Sequence, residues 1–83
     1  MLDSPEIVYH MCLDSIRDML IVACNRFGIN VPRHSTVFDM GPIQTESGDY
    51  VGGWEIGGYV IAGIDWGMDI EVANIYCPDG TII

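Results

Sequence analysis

The sequence predicts an α+β fold, in which one N-terminal amphipathic helix packs on an antiparallel β-sheet of four to five strands. Three observations lead there. Apolar residues recur at three- and four-residue spacing through the first third of the chain. From residue 50 onward, β-branched and aromatic residues are interleaved with glycines and turn signals. Hydrophobic content is 49% against 18% charged, which suits a packed core and argues against disorder. The 83 residues form a single domain, 1–83: a helix over about 4–27, a loop and short strand over about 29–49, and a glycine-rich β-meander over about 50–83.

The helix is read from DSPEIVYHMCLDSIRDMLIVACNRFG. Ser4 is placed as N-cap and Pro5 opens the first turn, where its missing N–H costs nothing. Asp3 and Glu6 sit beside the positive end of the helix dipole and Arg26 near the negative end. Gly28 supplies the left-handed residue that ends the helix. The apolar face holds Val8, Tyr9, Cys12, Leu13, Ile16, Met19, Leu20, Ala23, Cys24 and Phe27. The solvent stripe is expected at Glu6, His10, Asp14, Arg17, Ile21 and Asn25. In the following segment a short strand is expected around Thr36 to Met40, and the remainder is read as loop.

The stretch YVGGWEIGGYVIAGIDWG, residues 50–67, raises the question of a phosphate-binding loop. A P-loop needs G-x-x-x-x-G-K-[ST], because the lysine reaches the outer phosphates and the hydroxyl holds magnesium. Gly53 and Gly58 have the spacing, but Tyr59 follows and the chain contains no lysine. The G-x-G-x-x-G fingerprint is absent, and no helix signal follows to offer its N-terminus to phosphate. The flanking residues are strand formers, so the glycines shape a sheet. Gly52-Gly53 and Gly57-Gly58 are expected as turns or kinks, and Gly67 in a further turn. DIEVANIYC, residues 69–77, reads as a strand, Pro78-Asp79-Gly80 as a turn, and Thr81-Ile82-Ile83 as a short final strand.

Charge limits the partners. Twelve carboxylates stand against three arginines, for a formal net charge of −9, and the stretch from His34 to the end holds eight of the acids and no Lys or Arg. Such a field repels phosphate backbones and anionic membranes, so direct nucleic-acid or membrane binding is not expected. It attracts a basic protein surface. Cys12, Cys24 and Cys77 form an odd set without close pairing, which points to a reducing, cytoplasmic compartment. The N-terminus shows no basic-then-apolar leader, and no apolar run reaches membrane-spanning length.

Each candidate site is weighed against a plainer account. His10, Asp14 and Arg17 lie within two helical turns, but no further ligand is indicated and a solvated stripe explains them. Pairing Cys12, Cys24 or Cys77 with His10 or His34 as nucleophile and base needs nearby positive charge, and the acidic field opposes it. The cysteine and histidine spacings do not suit zinc. Asp65, Asp69 and Glu71, with Asp79 on the sheet rim, do not follow the calcium-loop pattern. No catalytic residue, metal ligand or cofactor is therefore assigned. As a partner-binding surface, Asp65, Asp69 and Glu71 combine with Glu55 and with Trp66 and Trp54 as aromatic anchors.

The expected function is a non-catalytic binding protein, an inhibitor that occupies a basic, nucleic-acid-binding surface of another protein, its acids standing in for phosphates. In size and charge, though in no motif, the chain is similar to the small acidic proteins that phages use against host nucleases and defence complexes. The alternative is a small dimeric ligand-binding domain or enzyme with a cleft at the subunit interface near Trp54, Tyr59 and Trp66. A homodimer is expected because so small a domain cannot bury all of its apolar surface, with the sheet edge or the helix flank around Met11, Asp18 and Val22 as the interface.

Overall fold

A computed structural model describes the protein over residues 5–83, with side chains described from Ser15 onward. Helix α1 spans Pro5–Arg26. Its end is built by Gly28, whose φ of +77° suits a residue without a β-carbon. Ile29 N–H donates to Cys24 O at 3.0 Å and Gly28 N–H to Asn25 O at 3.0 Å, the paired bonds of a Schellman motif. The motif turns Ile29 into the core, where it is buried. Leu20, Ala23 and Cys24 are fully buried, and Ile16, Met19 and Ile21 pack around them.

Two expectations for the helix need correction. The exposed side runs through Ser15, Asp18, Val22 and Asn25, so Arg17 and Ile21 are half-buried rather than on the solvent stripe. Phe27 is 42% exposed, because it falls past the last helical residue, where the chain leaves the helix. Ser4 as N-cap, and the side chains of Glu6, His10, Met11, Cys12 and Asp14, lie outside the described residues.

Five strands follow: β1 (Val37–Asp39), β2 (Ile43–Gln44), β3 (Tyr50–Ile56), β4 (Tyr59–Asp65) and β5 (Ile70–Tyr76). All pairings are antiparallel, in the order β1-β3-β4-β5, with β2 also on β3. The α+β expectation thus holds. Strand β2 lies in what reads as loop from sequence. Val37 stands opposite Ile56 and Ile43 opposite Val51, so β1 and β2 are two halves of one edge with one extra residue between them. That bulge is Gly41-Pro42, with Gly41 at φ +72° and its N–H held by Asp39 Oδ1 at 2.8 Å.

Gly57 and Gly58 join β3 to β4 with φ of +59° and +88°, the double positive value that a tight two-residue hairpin needs. Gly52 and Gly53 are not a turn. They lie inside β3, where the Trp54 ring covers Gly52 on one face and the Ile43 side chain covers Gly53 on the other. Between β4 and β5 the register shifts at Ala62/Gly63, leaving Ala73 as the extra residue of a second bulge. The final strand reduces to a bridge: Tyr76 pairs with Ile82, and Ile75 exchanges backbone hydrogen bonds of 3.1 and 2.8 Å with Ile83.

One face of the sheet makes the core. Val37, Trp54, Ile56, Ile61, Ile70 and Ile75 meet Leu20, Cys24, Ile29 and Val31 there. Each fully buried aliphatic side chain contributes about 1.5–3 kcal/mol. Helix α1 touches both β1 and β5, the outer strands, so the sheet curls around it. The other face carries the row Phe38, Glu55, Val60, Tyr76, then Gly53, Ala62 and Asn74, then Ile64 beside Glu71.

Candidate partner-binding site

The turn joining β4 to β5 gathers the acids that the sequence singles out. Gly67, at φ +89°, lets the chain reverse, and its N–H is held by Asp65 Oδ1 at 2.8 Å. Trp66 N–H donates to Asp69 O at 3.0 Å and closes the turn. The bend pushes Trp66 and Met68 outward, 62% and 90% exposed. The indole is nevertheless fixed: Trp66 Nε1 donates to Glu71 Oε1 at 2.9 Å. A large aromatic ring is thus presented to solvent in a defined orientation, which lowers the entropy cost of using it as an anchor.

Asp69 has a different part. Arg26 Nη1 reaches Asp69 Oδ2 at 3.0 Å, and the Arg26 guanidinium beside it holds the Asp69 carboxyl below its usual range. Arg26 thereby ties the turn to the end of α1 and neutralises part of the patch. Asp65 and Glu71 are exposed and have no described cationic partner.

Between the turn and the helix end runs an open groove of about 520 Å³, lined by Arg26, Phe27, Trp66, Asp69, Ile70, Glu71 and Val72. Sequence reasoning misses Arg26, Phe27, Ile70 and Val72 as groove residues. The first two read as helix end and helix core, and the last two as ordinary strand.

The remaining expected site residues do not join the cluster. Trp54 is 7% exposed and packed in the core, so its ring is not offered to a partner. Glu55 lies opposite Val60, five residues along β4 from Asp65, or roughly 17 Å at strand rise. Asp79 sits in the turn after β5, and the neighbouring Pro78 approaches Gly58 at the opposite end of β4 from Asp65.

Among the described residues, no group of three His, Cys, Asp or Glu side chains is arranged to hold a metal ion. His34 is exposed on the loop before β1. Cys24 is fully buried, and burial pushes its thiol above the usual range, so burial rather than the acidic field is what opposes a reactive thiolate. No described helix is long and apolar enough to cross a membrane. Compared with known proteins, the chain matches no family model, no curated protein and no solved structure.

Proposed function

We propose that the protein is a non-catalytic binding protein, an inhibitor that docks the β4–β5 turn onto a basic, nucleic-acid-handling surface of another cytoplasmic protein. The observation that carries this reading is the Trp66–Glu71 pair: an exposed indole held in place by a carboxylate, with Asp65 beside it. Aromatic anchors ringed by charge are what charged-surface recognition uses, the ring supplying contact area and the acids supplying register and association rate. The acids stand where phosphates of a competing nucleic acid would lie. The phage-type inhibitor reading fits the same chemistry.

Self-association belongs to the same proposal. The uncovered sheet face displays Phe38, Met40 and Ile64, apolar surface that a second copy would bury. Light scattering that gives a mass near 9.2 kDa at micromolar concentration removes this part.

The test of the main reading starts from affinity capture in the native cell. The captured partner is then mixed with wild type and with the Asp65→Lys/Glu71→Lys double variant in stopped flow. Asp69 is left intact, since reversing it would set a lysine against Arg26. The double variant is expected to associate more slowly at low salt and to converge on wild type as salt rises, because exposed charges are screened beyond roughly 10 Å at 0.1 M. Asp49→Lys, in the β2–β3 loop, serves as control. Equal on-rates for the double variant and wild type at low salt would remove the electrostatic reading.

A further inference from the structure

We propose that the groove between the β4–β5 turn and the end of α1 receives one arginine side chain of the partner, its guanidinium stacked on the Trp66 ring and paired with Glu71. This rests on the binding-protein reading above and names the residue that the site selects.

The Trp66–Glu71 hydrogen bond decides where a ligand can sit. An indole N–H lies in the plane of its ring, so the 2.9 Å bond from Nε1 holds the Glu71 carboxylate at the ring's edge and covers neither face. The ring is 62% exposed and lines the groove. A cation over an indole face is attracted by the negative face of the ring's quadrupole. A carboxylate bonded to the N–H polarises the ring and strengthens that pull. An open face with a carboxylate at its edge suits a group that is flat, positively charged and rimmed with N–H donors. Guanidinium is that group: it stacks through its plane and donates from its edge. An ammonium is a compact, strongly hydrated point charge and gains less from the ring.

The charge and shape of the groove agree. Arg26 and Asp69 pair at 3.0 Å, which leaves Glu71 as the uncompensated charge of the lining. Among the described residues no cation pairs with Glu71, and the indole takes one of the roughly four acceptor positions of a carboxylate. Phe27 and Val72, both partly exposed, offer an apolar wall to the methylene stem of an arginine, with buried Ile70 beneath them. Only side chains take part, so no backbone group of β5 has to be reached.

The chain's own arginines lie elsewhere. Arg26 holds Asp69, and Arg17 is half-buried on α1. Arg33 is exposed in the loop whose Val31 packs on Gly57, at the opposite end of β4 from the β4–β5 turn. A second copy could therefore supply Arg33 only head to tail, in a contact that does not close on itself.

The probes are a capped tripeptide with arginine between two glycines and its lysine and citrulline counterparts, titrated into the full ¹⁵N-labelled chain at millimolar concentration. The arginine peptide is expected to move the Trp66 indole N–H resonance and to bind about fivefold more tightly than the lysine peptide. The citrulline peptide, planar but neutral, is expected not to bind. Trp66→Leu, followed at the Gly67 and Glu71 amides, should weaken the arginine peptide by about fivefold and erase its advantage over lysine. Glu71→Gln keeps an acceptor for the indole, removes the charge, and should weaken both cationic peptides. Should Trp66→Leu fail to fold, the three peptides on wild type decide. Equal affinity for arginine and lysine, with loss only in Glu71→Gln, overturns the arginine site and leaves the electrostatic reading standing. No shift with either cationic peptide also overturns it, and the salt-dependent on-rates of the captured partner then decide the electrostatic reading by themselves. A mass that rises with protein concentration, and ceases to do so in Arg33→Gln, makes a second copy the occupant and overturns it too.

Discussion

Arg26 and Asp69, 43 residues apart in sequence, meet in an ion pair of 3.0 Å that joins the end of α1 to the β4–β5 turn. Both side chains are about half exposed, so the pair is open to solvent and salt. Its influence should show as a dependence of stability on pH.

The sign follows from linkage. The Arg26 hydrogen bond lowers the Asp69 pKa in the folded protein relative to the unfolded value of about 3.9. Asp79, held by the Thr81 hydroxyl and N–H, shifts in the same direction. Each contributes stability that is present above the unfolded pKa and is lost as pH falls through the folded one. Melting curves from pH 7 to pH 2 should show wild type above Asp69→Asn at neutral pH and the two converging at the acid end. The gap should narrow in 1 M salt, where the screening length is about 3 Å.

Gly63 should tolerate substitution worse than any other glycine with negative φ. A β-carbon there would overlap the Glu71 carbonyl oxygen and press on Val72 Cα, which are backbone atoms of the bulged partner strand. At Gly53 the closest obstacle is the Ile43 side chain, which can rotate, and the nearest backbone atom, the Gly41 carbonyl oxygen, lies farther off at 3.1 Å from the β-carbon position. Gly63→Ala is expected to cost about 1–3 kcal/mol, the range for overpacking. Melting temperature should fall by roughly 4–8 °C for each kcal/mol. Gly53→Ala should cost less, and equal melting temperatures for the two variants would contradict the argument.

The two tryptophans should be separable by collisional quenching. Trp66 is exposed beside Asp65 and Glu71, whereas Trp54 is sealed in the core. Caesium should quench the accessible fraction more efficiently than iodide at equal ionic strength, since the local acids concentrate cations and repel anions. Trp66→Phe should abolish most of the caesium-sensitive emission. Quenching that survives this change would place Trp54 nearer the surface than its packing allows.

Thiol reactivity should follow burial. In a Cys12→Ser background, Cys77, which is partly exposed, should react with a disulfide reagent in the folded state. Cys24, buried and with a raised pKa, should react only after denaturant is added. Cys77→Ser should remove the fast phase and leave the slow one.

The helix, the β3–β4 hairpin and β5 are legible in the sequence because their signals are local: apolar spacing, a Gly-Gly turn, β-branched runs. Gly52-Gly53 misleads because glycine in a strand and glycine in a turn are alike until the Trp54 ring and the Ile43 side chain are placed against them. Strand β2 has no local signal either. It is two residues long, follows Pro42, and exists through its pairing with Val51 and Tyr50. At the site, Asp65, Trp66 and Glu71 are readable as turn acids around an aromatic. The Arg26 partner of Asp69 comes from the packing of α1 against β5, which no spacing encodes.

The Gly41-Pro42 bulge has a consequence for assembly. A sheet polymerises when both of its margins can accept a neighbour, since each added copy must offer a fresh margin to the next. On the β1 side the row of backbone groups is broken after three residues, bent at the bulge, and flanked by Asp39 and a proline that has no N–H to give. Growth is therefore capped on that side. With one margin closed in this way, stacking of copies into fibres is blocked by two residues, Gly41 and Pro42.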